Sequence, residues 1–203
     1  AGNVIVNCAY VKVEGSNDAV IVNSSEELSA ALVDGTVKDI YLASGDFGTI
    51  VAKSNKTIIG SANAKVDCVN LNGANKLTLK NIVFNANDAQ LGYDGKGSVR
   101  YYANIITGDN VNKPTKGVHN LVIEGCTFEG TFVDGGAAIA FADRNRGGGF
   151  SGNVTIKNCK FNTTNAYYDI YGYYCGDGIN GYGDWVIENN QFLSSTASTP
   201  VYL

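Results

Sequence analysis

A nine-residue pattern recurs four times in this chain, and the recurrence leaves few folds open. Asn153-Val154-Thr155-Ile156-Lys157-Asn158-Cys159-Lys160-Phe161 is matched in residue type by 76–84, 120–128 and 184–192. Apolar and polar residues alternate through the first half of each copy, as a strand with two unlike faces requires. Two positions after the central Leu79, Ile123, Ile156 or Ile187 come Asn81, Gly125, Asn158 and Asn189. Asn and Gly occupy left-handed backbone at low cost, so the same tight bend is expected four times. A phenylalanine then closes each unit: Phe84, Phe128, Phe161 and Phe192. A strand, a bend and a second strand made once per repeat predict coils stacked in parallel register about 4.8 Å apart.

A second ladder runs out of phase with the first: Ile105, Ile139, Ile170 and Val201. Its steps of 34, 31 and 31 residues track the 33 and 31 that separate Ile123, Ile156 and Ile187. The two sets advance together and supply two sides of each coil. Upstream, Ser24-Ser25-Glu26-Glu27 is a capping box, and Leu28, Ala31 and Leu32 share one face of a short helix that ends at Asp34-Gly35. That helix is expected to lay its apolar face over the open end of the stack. Residues 1–23 alternate (Val4, Val6; Val11, Val13; Val20, Val22) and read as short strands joined by Gly15-Ser16-Asn17-Asp18.

The bend asparagines, the stacked aliphatic and aromatic ladders and the N-terminal helix resemble the pectate lyase-like group of right-handed parallel β-helix proteins, which includes phage tailspikes and many polysaccharide lyases and hydrolases. The resemblance spans residues 20–203 and implies an all-β fold: a right-handed single-stranded parallel β-helix, or solenoid, with a short N-terminal capping helix. The expected organisation is one domain over 1–203, with 1–23 as irregular first strands or a linker, 24–35 as the capping helix and 36–203 as coils. An antiparallel β-sandwich is the alternative, and phase-locked ladders disfavour it.

Composition narrows the partners. A net charge of −4 lacks the basic stripe that nucleic acid demands. No apolar run approaches the roughly 20 residues of a membrane span, so neither nucleic-acid binding nor membrane insertion is expected. Five cysteines without a CxxC indicate neither a zinc site nor a complete disulfide framework. Cys126 and Cys159 hold equivalent ladder positions; they are either buried free thiols or, with Cα atoms about 4.8 Å apart, a disulfide.

The candidate site residues fall on the connections. The long step of 44 residues from Leu79 to Ile123 marks an insertion at 87–100, which carries Tyr93, Asp94 and Arg100. A second row follows the other ladder: Asp109, Asp143 and Tyr174 each lie four residues after Ile105, Ile139 and Ile170, so they are expected side by side. Arg144, Arg146, Tyr173 and Asp177 belong to the same row, with Tyr171 at its base. Asp109 and Asp143 are the catalytic candidates. They admit three readings: an acid pair for retaining or inverting glycoside hydrolysis, Ca²⁺ ligands, or an ordinary surface salt bridge of Asp143 with Arg144 or Arg146. No cofactor is expected, with Ca²⁺ the one possible ion. His119, the only histidine, precedes a ladder strand and reads as a bystander.

Lyase chemistry in the resembling family uses Arg or Lys beside a carboxylate-bound Ca²⁺, and none of the three arginines lies in a matching motif. The Gly-His and basic cluster of polygalacturonases is likewise missing. Aromatic supply is richer: Tyr167, Tyr168, Tyr171, Tyr173, Tyr174 and Tyr182 crowd the last coils, while Trp185 takes the packing position of Leu77, Leu121 and Val154. Tyrosine joins a flat apolar face to a polar rim and suits sugars and protein partners alike. The expected function is host-receptor or glycan recognition by a tailspike-like viral surface β-helix, at the virion surface or outside the cell, with a carbohydrate or cell-surface receptor as partner. A polysaccharide-degrading lyase or hydrolase and an inactive fibre segment are the alternatives. The strand at Val201-Tyr202-Leu203, with a cap expected at the other end only, is expected to be covered either by further residues or by a symmetric neighbour in a homo-oligomer; the resemblance favours a trimer.

Overall fold

The computed structural model describes residues 11–13, 15–85, 103–106, 117–132, 136–141, 151–172, 184–195 and 199–203. The described chain opens with β1 (Val11–Lys12) and β2 (Ala19–Val22), an antiparallel pair, and then α1 (Ser25–Val33). Six circuits of three strands follow: β3 (Asp39–Leu42), β4 (Gly45–Asp46) and β5 (Thr49–Val51); β6 (Lys56–Gly60), β7 (Ala64–Val66) and β8 (Cys68–Asn70); β9 (Asn75–Lys80), β10 (Val83–Phe84) and β11 (Ala103–Ile106); β12 (His119–Glu124), β13 (Thr127–Phe128) and β14 (Ala137–Phe141); β15 (Gly152–Lys157), β16 (Lys160–Phe161) and β17 (Tyr168–Gly172); β18 (Trp185–Glu188), β19 (Gln191–Phe192) and β20 (Val201–Tyr202). The first strand of every circuit enters one eight-stranded sheet, the second a six-stranded sheet and the third another six-stranded sheet. Every pairing except β1 with β2 is parallel, which is compatible with a β-helix or solenoid.

Both predicted ladders are in register. The inner column of the first sheet runs Val20, Ile40, Ile58, Leu79, Ile123, Ile156 and Ile187, three circuits further than the repeat alone showed. In the third sheet Ile105, Ile139, Ile170 and Val201 align with Val69 and Ile50. The four phenylalanines stack with centroids 4.9, 4.8 and 5.1 Å apart and rings within 9° of parallel. These columns enclose one continuous apolar core.

Backbone conformation explains the corners. Asn81, Gly125, Asn158 and Asn189 have φ of 53°, 65°, 56° and 53°, the left-handed values the bend requires. At Gly125 the position matters twice, because a Cβ there would lie 2.4 Å from the Asn81 Oδ1 of the preceding circuit. A second left-handed column precedes the first sheet at Asn55, Lys76, Asn120 and Asn153. Its side chains tie circuits together: Asn120 donates to Asn75 at 2.8 Å and Asn153 to Asn120 at 3.2 Å.

The helix stands between β2 and β3, where later circuits have their second and third strands, and Ser25 Oγ donates to the Phe47 carbonyl, between β4 and β5, at 3.1 Å. Ser24 caps it by accepting from the Glu27 amide at 3.2 Å, and Leu28, Ala31 and Leu32 join the core. The return bond of the capping box goes one residue further out than the motif predicts, from the Asn23 amide to Glu27 Oε2. At the other end Lys56 occupies the column of Leu77 and turns inward. Its ammonium donates to the Ala31, Asp34 and Val37 carbonyls, capping the negative end of the helix. Burial lowers its pKa.

Cys126 and Cys159 are stacked, buried and free. Each thiol donates 3.7 Å to a ladder carbonyl of the preceding circuit, Leu79 and Ile123 respectively. Asn190 continues the column, its amide donating to the Ile156 carbonyl at 2.9 Å. Burial pushes the Cys126 thiol well above its ordinary pKa.

Candidate recognition surface

The third sheet differs from the first in what it buries. β9, β12 and β15 alternate buried and partly exposed positions, whereas β11 and β14 are buried at every residue. A small apolar cluster separate from the main core therefore forms on the sheet's other side, from Ala103, Ile106, Ala137 and Ala140. Register carries these columns onto aromatic residues. Ala103 and Ala137 align with Tyr168, and Ile106 and Ala140 with Tyr171 and then Tyr202.

The result is a four-tyrosine surface over β17 and β20. Tyr171 stacks on Tyr168 at 5.0 Å and on Tyr202 at 5.7 Å, with interplanar angles of 28° and 17°. Tyr168 also meets Tyr202 at 5.5 Å and Tyr167 at 6.2 Å. Tyr171 is 8% exposed and acts as the buried keystone, while Tyr167 and Tyr202 are 48% and 42% exposed and offer open ring area. Such a surface gives C–H groups an apolar face to lie on and hydroxyls a phenolic rim to bond with.

Beneath it, Asp169 is fully buried. Its Oδ1 accepts from Thr163 Oγ1 at 3.2 Å and from Ser194 Oγ at 2.6 Å, tying β17 to both neighbouring corners. Burial raises its pKa above the ordinary value, opposed by these two hydroxyls.

Tyr171 is the predicted site residue that the described chain places, and it lies at the centre of the surface. Asp109, Asp143, Tyr93, Asp94, Arg100, Arg144, Arg146, Tyr173, Tyr174 and Asp177 lie outside the described residues, as does Tyr182. The strands from which Asp109, Asp143 and Tyr174 were counted, β11, β14 and β17, are aligned residue for residue. His119 begins β12 opposite Asn75 and Gly152, away from the tyrosines. Trp185 holds its ladder position beyond Val154, half-buried and edge-on to Phe141 at 4.6 Å. Among the described residues no three His, Cys, Asp or Glu side chains are grouped to hold a metal ion.

Tyr202 was not singled out from sequence, although a signal existed. The 31-residue step from Ile170 to Val201 also takes Tyr171 to Tyr202. No protein family, curated protein or solved structure matches this chain.

Proposed function

We propose that the chain is a right-handed single-stranded parallel β-helix of the pectate lyase-like, tailspike-like kind, and that it recognises a carbohydrate or glycan-bearing cell-surface receptor outside the cell or on a virion. The observation that carries this reading is the tyrosine surface, in which the buried Tyr171 stacks on Tyr168 and Tyr202 and the exposed Tyr167 rests against Tyr168. An aromatic surface held by stacked strands is preorganised, so little side-chain entropy is lost when a ligand settles on it. Rigid tyrosines are also the residues that dominate binding energy at recognition surfaces.

A glycan array probed with the parent and with Tyr167→Ala and Tyr202→Ala tests the proposal. The parent should bind a defined set of glycans, and each variant should bind them about tenfold more weakly or worse. Binding unaffected by both substitutions would remove the tyrosines from the reading. Depolymerisation of a polysaccharide by the parent, abolished in Asp109→Asn or Asp143→Asn, would replace it with the glycan-degrading alternative.

A further inference from the structure

Two residues of the third sheet, on either side of a single circuit, each carry a buried side-chain oxygen without a partner. Asn104 and Asp169 are both fully buried, and Asn104 Oδ1 and Asp169 Oδ2 have no hydrogen-bond partner. Register places both residues in one column with Ala138 between them, since Ala103 and Ile105 flank Asn104 as Ala137 and Ile139 flank Ala138, and Tyr168 and Ile170 flank Asp169.

The bonds these side chains do make fix where the free oxygens point. Asn104 Nδ2 donates at 3.2 Å to the Asp67 carbonyl, in the preceding circuit. An amide's nitrogen and oxygen diverge from one carbon, so Oδ1 turns the opposite way, toward the Ala138 circuit. Asp169 Oδ1 is taken by Thr163 of its own circuit and Ser194 of the following one, so Oδ2 turns back toward the same Ala138 circuit. The corner residue of that circuit aligned with Thr163 is Gly130, because Thr131 pairs with Thr164. Ala138 and Gly130 thus put the two smallest side chains between two acceptors.

We infer that this corner is a binding site for a single internal water molecule that donates one hydrogen to Asn104 Oδ1 and the other to Asp169 Oδ2. Two strand spacings separate the Cα atoms by about 9.6 Å, and a water donating two bonds of about 2.8 Å at its bent angle spans about 4.4 Å between its acceptors, within reach of two side chains leaning toward each other. The number of partners selects the ligand. Water is satisfied by two to four polar contacts, whereas a hard cation such as Ca²⁺ takes six to eight oxygens. Two acceptors and no donor match the two hydrogens of water. The bridge completes the hydrogen bonding of Asp169 and links three circuits of the strand column from which the tyrosines project.

Magnetic resonance detects such a water directly, through cross-relaxation between long-lived solvent and the amide protons of Ala138 and Asp169. The parent should show these cross-peaks. Ala138→Ser, whose hydroxyl displaces the water and donates its single hydrogen to one of the two oxygens, should lose them and stay folded. Ala138→Val fills the space with apolar atoms and strands both oxygens, so its unfolding equilibrium constant should exceed that of Ala138→Ser by about tenfold or more. Absent cross-peaks in the parent would overturn the inference, as would equal stabilities of the two variants. A melting temperature that rises with Na⁺, K⁺ or Ca²⁺ at constant ionic strength, and rises further in Asn104→Asp, would overturn it in favour of a cation.

Discussion

Truncating Phe128 to alanine should be among the most damaging single changes in this protein, and the stack predicts by how much it exceeds the same change at Phe192. Phe128 is fully buried between Phe84 at 4.9 Å and Phe161 at 4.8 Å, so the substitution removes a ring with two stacked neighbours. Phenylalanine-to-alanine changes in cores cost about 3–5 kcal/mol, and each stacked pair contributes about 0.5–1.5 kcal/mol beyond area burial. Two pairs put Phe128→Ala at the top of that range, about 5 kcal/mol. Phe192 is only half-buried and has one stacked neighbour, Phe161 at 5.1 Å, so Phe192→Ala should cost about 2 kcal/mol. Guanidinium unfolding followed by circular dichroism gives both values, and the fluorescence of Trp185, the only tryptophan, reports on the last circuit. Phe128→Leu keeps most of the apolar volume and loses the ring, so it should cost about 1–3 kcal/mol, the worth of the two stacking contacts. A Phe192→Ala cost equal to or above that of Phe128→Ala would refute the reasoning, because the energy would then not follow the number of stacked neighbours.

The remaining predictions concern the bend, the outer charges and the buried carboxylate. Asn158→Val forces a β-branched residue to φ 56° and should cost about 1–3 kcal/mol, while Asn158→Gly should be near neutral; equal melting temperatures for the two would exclude backbone strain as the cause. Glu124 lies 3.4 Å from Lys80 and 4.0 Å from Lys157 at partly exposed positions, so Glu124→Lys should cost about 1 kcal/mol or less, more at low salt than at high; a salt-independent loss would exclude these ion pairs as its cause. Asp169 has a folded pKa raised above its ordinary 3.8, so the folded state binds its proton more readily than the unfolded state and stability falls as pH rises through the window just above that value. Asp169→Asn should flatten that segment of the stability-versus-pH profile, and an unchanged slope would show that another group titrates there.

The ladders were legible because parallel register places like residues on like, so a column seen in profile is a repeat seen in sequence. Legibility failed where chemistry changed within a column. Lys56 stands where Leu77 and Leu121 stand later, and only the helix carbonyls above it explain a lysine there. The second left-handed column was hidden because Lys76 interrupts its asparagines. On the outer face of the first sheet, Ile21, Tyr41 and Ile59 share a column with Lys80, Glu124, Lys157 and Glu188, so the charged residues of the later circuits have apolar and aromatic counterparts in the early ones. The surface itself was half-legible. Tyr167, Tyr168 and Tyr171 were visible as an aromatic supply, but which rings touch depends on the alignment of β17 with β20, a pairing between segments 31 residues apart.

In-register stacking also sets a rule for the gene. Ile156 and Ile187 hold the same place in consecutive circuits, so an in-frame deletion of residues 157–187 joins Ile156 to Glu188, the residue that already pairs with Lys157. Every downstream residue then keeps its column. Such losses, or duplications of one period, change length by whole periods, 31 codons between Ile156 and Ile187, while leaving inward and outward faces unmixed. A deletion one codon longer within a strand would turn each following side chain of that strand to the opposite face. Recombination between repeats is therefore a permitted route of length variation for this architecture, and slippage by single codons is confined to the connections between strands.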